Sequence, residues 1–275
     1  MPHSPNSHSR STSQPITLTV DIGGTGIKAL LLDAAGNPTT EKLRILTPQP
    51  STPKAVMDTI LNLAEALPTF DRVSVGFPGV IQAGRVKTAP NLDPSWPHIN
   101  LVKELERQLG KPVLAANDAD VQGYGAIEGR GVEMVITLGT GFGTALFVNG
   151  HLVPNLEIAH HPFKNGQTYE EALGASALKK VGKKKWNQRL AKAIKILDRV
   201  INFDRLFIGG GNAKKVTLTL PANVALVSNV AGLLGGIALW NNDQPGKTPL
   251  SSPSAQAKHN KARSFKKSRT RKRTP

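Results

Sequence analysis

After a polar stretch over residues 1–15, the run Thr17–Gly23 is apolar and β-branched and stops at glycine, so it reads as a strand. Ile27–Asp33 suits its hairpin partner, and Ala34–Pro38 turns the chain toward a third strand near Leu43–Leu46. The period then changes. Val56, Ile60, Leu63 and Leu67 share one helical face within Pro53–Leu67, and Pro53 fits a first helical turn. Arg72–Gly79 reads as a buried strand ending in a Gly-Phe-Pro-Gly bend, Leu101–Leu109 as a short amphipathic helix, and Lys111–Asp118 as another strand. Val132–Leu138 and Thr144–Val148 are expected strands on either side of a glycine turn. Trp186–Ile201 has helical spacing with a basic face, Arg205–Gly211 is a strand running into a glycine turn, and Val230–Trp240 is a helix of small residues able to pack closely.

Strands alternating with helices predict an α/β protein. A weak repeat refines this. Asp21–Asp33 and Leu138–Gly150 each read strand, Gly-Thr-Gly turn, strand, roughly 115 residues apart. That spacing is far too long for a solenoid and suggests two related lobes facing a common cleft. The expected division is a small α/β lobe over 16–117, completed by the helix at 229–240, and a large α/β lobe over 118–228.

Composition narrows the chemistry. Of 275 residues 39% are hydrophobic, enough for a sizeable core, and none is cysteine. A thiolate nucleophile, a disulfide framework, an iron–sulfur cluster and Cys-ligated zinc are therefore excluded. No apolar run approaches the roughly 20 residues of a membrane helix, and residues 1–15 lack a secretory h-region, so a cytoplasmic protein without membrane partners is expected. Net charge is +16 and unevenly spread. The segment 241–275 holds ten Lys/Arg against one Asp and is poor in apolar residues, so it and residues 1–15 read as disordered. Lys179–Lys195 holds eight basic residues and no acid, which calls for a polyanionic partner to relieve the self-repulsion.

Three glycine turns carry the candidate chemistry. The first, Asp21-Ile-Gly23-Gly24-Thr25-Gly26-Ile-Lys28, offers glycines that permit positive φ and close approach to a ligand, and successive N–H groups suited to an anion. Thr25 adds a hydroxyl, Lys28 a charge if strand alternation points it inward, and Asp21 a carboxylate able to orient Mg²⁺ through water. The spacing is neither Walker A nor a Rossmann fingerprint. The second turn carries Gly139, Thr140, Gly141 and Gly143, and the third Gly209, Gly210 and Gly211 followed by two lysines. Twinned turns on matching hairpins are suited to gripping a phosphate chain from opposite sides.

Asn117-Asp-Ala-Asp120 follows an apolar strand. A phosphoryl acceptor hydroxyl needs a carboxylate within hydrogen-bond reach, and Asp118 is the candidate base. Asn117 can hold a neighbouring hydroxyl, and Asp120 reads as the helix cap or a partner to the helix dipole. Glu157 and His160 lack the helical HExxH context, so no metal site is assigned; a carboxylate and an imidazole suit vicinal sugar hydroxyls instead. Glu170 or Glu171 is expected to face the ligand. Asn91-Leu-Asp-Pro-Ser-Trp96 offers Asn91 as a polar contact or Trp96 as an aromatic wall.

Taken in order, DIGGTGIK, GFPG, PNLDPSW, NDAD, LGTGFGTALF, EIAHHP, YEEALG and FIGGGNAKK resemble the ROK sugar kinases of the actin-like ATPase (ribonuclease H-like) superfamily, over about Ile16–Trp240. Within it they resemble the polyphosphate-using glucokinase subgroup. The resemblance implies a two-lobed kinase fold and phosphoryl transfer from polyphosphate or ATP, with Mg²⁺, to the 6-hydroxyl of glucose or mannose. It implies Asp118 as the base, Asn117, Glu157, His160 and Glu170 on the sugar, and the three turns on the donor. Where many ROK proteins carry a Cys-rich zinc motif, this chain has HPFKNGQTYEEALG, so no structural zinc is expected. Lys179, Lys180, Lys183, Lys184, Lys185 and Arg189 would then lead a long polyphosphate to the cleft. The rival readings are an ATP-only kinase for another hexose and a sugar-responsive nucleic-acid binder, the latter opposed by the lack of a helix-turn-helix pattern. The pattern fixes no oligomeric state.

Overall fold

The computed structural model describes residues 14–227, 233 and 235–242. The segments 1–13 and 243–275, and with them the expectations for the basic tail, lie outside the described residues.

The first half of the chain runs β1 (Thr17–Ile22), β2 (Ile27–Leu32), β3 (Leu43–Ile45), α1 (Pro53–Glu65), β4 (Arg72–Phe77), β5 (Ile81–Gln82), β6 (Arg85–Val86), α2 (Leu101–Leu109), β7 (Val113–Asn117) and α3 (Asp118–Tyr124). β1 and β2 pair antiparallel with Asp21 opposite Lys28, β3 adds to β2, and β4 and β7 extend the sheet in parallel, giving the order β3-β2-β1-β4-β7. Local signals set the helix ends. Thr52 caps α1 by accepting from the Ala55 amide, and α2 is capped by Asn100, which accepts from the Lys103 amide, and stopped by Gly110 in the left-handed region, φ 63°. Trp96 is fully buried, edge-on to Phe77, and its indole N–H donates to Ser51 O at 2.8 Å. It is core, so the aromatic-wall alternative fails.

The second half runs β8 (Val132–Leu138), β9 (Phe142–Val148), β10 (His151–Val153), the small hairpin β11 (Pro162–Lys164) and β12 (Gln167–Thr168), α4 (Tyr169–Leu173), α5 (Ala175–Ile201), β13 (Arg205–Gly209) and β14 (Val224–Leu226). Its sheet order is β10-β9-β8-β13-β14, again three antiparallel strands followed by parallel ones. The weak sequence repeat thus corresponds to two sheets of one topology, each with its own apolar core. α5 begins eleven residues before the expected Trp186 and bends at Gly182, whose φ of 76° and ψ of 161° are not helical. The lysine run and that glycine mask the helical period ahead of Trp186.

The chain then returns to the first sheet. α6 (Gly236–Asn242) lies against it: Ser74 Oγ donates to Gly236 O at 2.6 Å and accepts from Trp240 Nε1 at 2.8 Å. A Cβ at Gly236 would stand 2.6 Å from Thr19 Oγ1, so the small residue is what allows this close seat. The start of the expected Val230–Trp240 helix falls outside the described residues. Among the described residues no helix is long and apolar enough to cross a membrane.

Candidate active site

The strand ends of both sheets converge. Residues 23–26 close the β1–β2 hairpin, with the Gly23 amide donating to Gly26 O at 3.2 Å; residues 139–141 close β8–β9 with a tighter turn, Gly139 N to Gly141 O at 3.2 Å. The third turn is stitched to the second, since Asn212 N donates to Leu138 O at 2.8 Å and Asn212 Nδ2 to Gly139 O at 3.0 Å.

The reason for glycine differs from the sequence expectation. Of the glycines assigned to these turns, only Gly210 has positive φ, at 85°. At Gly26, Gly141 and Gly143 the demand is space, whereas a Cβ at Gly139 or Gly211 would meet nothing within 4 Å. A Cβ on Gly26 would stand 2.6 Å from Arg44 Nε, and one on Gly141 would collide with Glu170 Oε2. Gly26 and Gly141 are bare because side chains from other elements lie across them.

Two cavities meet at these turns. The smaller, about 150 Å³, contains Asn91, Asn117, Asp118, Gly141, Gly143, Glu157, His160 and Glu170 in its wall, together with Gly23, Gly24, Gly139 and Thr140. The larger, about 470 Å³, is walled by Asp21, Gly23, Gly24, Thr25, Gly26, Lys28, Arg44, Asp118, Gly139, Thr140, Gly210, Gly211 and Lys214, among others. Asp118 and the first two glycine turns form the boundary common to both.

α3 positions Asp118 at its first residue. The helix is capped by Asn117, whose Oδ1 accepts from the Ala119 amide at 2.8 Å, and Asp118 Oδ1 accepts from the same amide at 2.8 Å. Asp120 is therefore not the cap; it is buried, 3% exposed. Asn117 Nδ2 also donates to Gly79 O and to Glu157 Oε1, both at 3.2 Å. Glu170 Oε2 accepts from the Phe142 amide at 3.4 Å, whereas Glu171 closes a capping box with Thr168. Of the two glutamates, Glu170 is the one in the cavity wall.

The electrostatics follow from crowding. Desolvation, then the charge of Asp21, pushes the Asp118 carboxyl up to about 7, with the Ala119 amide opposing and Glu157 adding to the rise. Desolvation, then Glu157 and Asp118, pushes Asp120 up to about 8. Glu157 is also raised, mainly by desolvation; His160 opposes the rise and Glu170 adds to it. On the other side of Asp118, Lys28 Nζ donates to Asp21 Oδ2 at 2.7 Å, so Lys28 does point inward.

The remaining candidates lie elsewhere. Gly209 ends β13 and lines neither cavity. Lys179, Lys180 and Lys185 are exposed along α5, while Lys183 and Lys184 line a separate surface cavity of about 460 Å³ with Thr217 and Leu218. Arg189 is half-buried and donates to Ala172 O at 3.1 Å, anchoring α5 to α4. Among residues the sequence reading did not assign, Arg44, Gln122 and Lys214 line the larger cavity. Arg44 comes from β3, and only the pairing register, with Lys28 opposite Arg44, brings it to the turn.

The ROK family model matches residues 17–157. Polyphosphate glucokinase of Mycobacterium tuberculosis strain H37Rv is 32% identical over 243 residues, covering 82% of this chain and 91% of that protein. The chain belongs to the ROK family. The Mycobacterium leprae polyphosphate glucokinase is 31% identical over 249 residues, covering 84% of this chain and 76% of that protein. The crystal structure of inorganic polyphosphate/ATP-glucomannokinase from Arthrobacter sp. strain KM superposes with a TM-score of 0.76 at 32% identity, covering 84% of this chain and 100% of that one. A ROK glucokinase from Streptomyces griseus, solved with glucose and AMPPNP, shares the fold at 20% identity, TM-score 0.70, over 82% of this chain and 98% of that one. The fold is the two-lobed α/β architecture of the ROK sugar kinases, that of the actin-like ATPases.

Proposed function

We propose that this ROK protein transfers a phosphoryl group from inorganic polyphosphate or ATP to the 6-hydroxyl of glucose, and of mannose. The observation that carries the reading is the place of Asp118 in the wall common to two cavities, one rich in hydroxyl-binding side chains and one in backbone amides and cations. The relatives named above support the choice of donor and acceptor.

In this reading Asn91, Asn117, Glu157, His160 and Glu170 hold the sugar in the smaller cavity. Its 6-hydroxyl oxygen attacks the terminal phosphorus, its proton passes to Asp118, and the leaving group is ADP or a polyphosphate one unit shorter. A base near pKa 7 suits work at neutral pH, since it is free to accept a proton without being too weak to take it. The two hairpin turns line the donor cavity, where charge develops. Tolerance of mannose requires that the Glu157 and His160 contacts accept either epimer at the 2-position. The lobes divide near residues 117 and 118, with the helix near 236–242 completing the first.

Mg²⁺ fits the donor set. Asp21 offers a carboxylate beside the donor cavity, and Lys28 already occupies one of its oxygens. Among the described residues no three His, Cys, Asp or Glu side chains cluster as ligands. That arrangement suits a cation held through water and the donor's own phosphates. When bound, the ion neutralises phosphate charge.

The exposed lysines of α5 are proposed to lead a long polyphosphate toward the cleft. The test is a coupled assay crossing glucose and mannose with ATP and polyphosphate. Turnover of glucose with both donors is expected. Turnover with neither donor, or only with a different hexose, would overturn the reading.

A further inference from the structure

Arg44 stands in a row of three charges across the first sheet. Asp21 pairs with Lys28 in β1–β2, and Lys28 pairs with Arg44 in β2–β3, so all three project from one face. Lys28 is neutralised by Asp21 at 2.7 Å. Arg44 has no carboxylate partner among the described residues, although it stands directly opposite another cation, an arrangement that costs stability. Its guanidinium instead lies over the first glycine turn, where Nη2 donates to Thr25 O at 3.3 Å. Gly26, without positive φ, has its Cβ position filled by this group, so the bare turn accommodates the arginine.

Lys214 enters the same cavity from the other sheet, on the turn after β13, and it too has no carboxylate partner among the described residues. Two uncompensated cations from opposite lobes thus face one hollow whose other walls include the glycine turns, the Asp21–Lys28 pair and the Asp118 carboxyl. We infer that Arg44 and Lys214 form a cross-lobe clamp on the phosphates behind the one transferred, a diphosphate segment common to ATP and polyphosphate. The planar fork of Arg44 suits two phosphate oxygens at once, and Lys214 acts as a point charge. The inference rests on the reading of the larger cavity as the donor site.

The probe is inorganic tripolyphosphate, bound to the full-length protein and followed by calorimetry, which needs no turnover. Arg44→Ala should weaken binding about tenfold, Lys214→Ala several-fold, and Arg44→Lys less than Arg44→Ala, because charge is kept but the fork is lost. In steady-state kinetics Arg44→Ala should raise KM for ATP and for polyphosphate alike, with KM for glucose within twofold. A wild-type protein that ignores tripolyphosphate, or an Arg44→Ala variant that binds it normally, overturns the clamp. So does a rise in glucose KM in step with donor KM, which would mark Arg44 as a prop for the turn alone. Wild-type protein that binds tripolyphosphate through Arg44 yet phosphorylates no hexose would instead overturn the kinase reading and leave the clamp standing.

Discussion

Asn117 Nδ2 donates to Glu157 Oε1 at 3.2 Å, a bond that joins the end of a strand in the first sheet to the chain following the second sheet's edge. The same Asn117 caps α3 and so fixes Asp118. Holding the sugar cavity together and aiming the base are one task for this side chain. Asn117→Ala is expected to raise KM for glucose and lower kcat together, by about fivefold each, since a lost cap and a lost polar contact each cost on the order of 1 kcal/mol. Steady-state kinetics with ATP check this; a change in KM alone would separate the two roles.

Gly141 has a different reason to resist substitution. A methyl there would displace the Glu170 carboxylate, and Gly141 lines only the smaller cavity. Gly141→Ala should raise KM for glucose about tenfold, the scale of one lost charged hydrogen bond, while KM for ATP stays within threefold. Equal effects on both substrates would contradict the separation of the two cavities.

Two carboxyls titrate near neutrality, and the sign of the consequence is fixed. Asp118 and Asp120 have folded-state values of about 7 and about 8, above the unfolded value of 3.8. Between about pH 4 and 8 the folded protein holds more protons than the unfolded chain, so the stabilisation present at low pH is lost as pH rises through that window. Tm is expected to fall from pH 5 to pH 8.5, and to fall less in Asp120→Asn. Parallel curves for the two proteins would refute the assignment. kcat/KM for glucose should move oppositely, falling below about pH 7 as Asp118 takes up its proton.

The lysines of α5 test the donor path. Neutralising Lys183, Lys184 and Lys185 to Gln is expected to raise KM for long polyphosphate at least tenfold at low salt and KM for ATP less than twofold. Lys183 and Lys184 line a cavity of their own, apart from the cleft. Equal effects on both donors, or none, would contradict the path along α5.

How much was legible follows from what each feature depends on. Strands such as Thr17–Ile22 and Val132–Leu138 carry local signals, namely apolar runs and glycine stops, and they stand where the pattern put them. Asp118 stood out as a carboxylate at a strand end, Glu157 by its spacing from His160 and Glu170 through the family resemblance, and all three line the smaller cavity. Arg44 was invisible, because its place over Gly26 depends on the β2–β3 register, which no local pattern specifies. The crowding at Gly26 and Gly141 was hidden for the same reason: the groups responsible, Arg44 and Glu170, lie far along the chain. The first half of α5 was missed because Gly182 bends it and lysines interrupt its apolar face.

The central claim is that Asp118 accepts the sugar's proton at the meeting of the two cavities. The most direct measurement is kcat of Asp118→Asn with glucose, run in parallel with ATP and with polyphosphate, on protein shown by circular dichroism to be folded. Loss of about 10²–10⁴ in kcat is expected with both donors, because the same base serves either one. Turnover near the wild-type rate with either donor would contradict it.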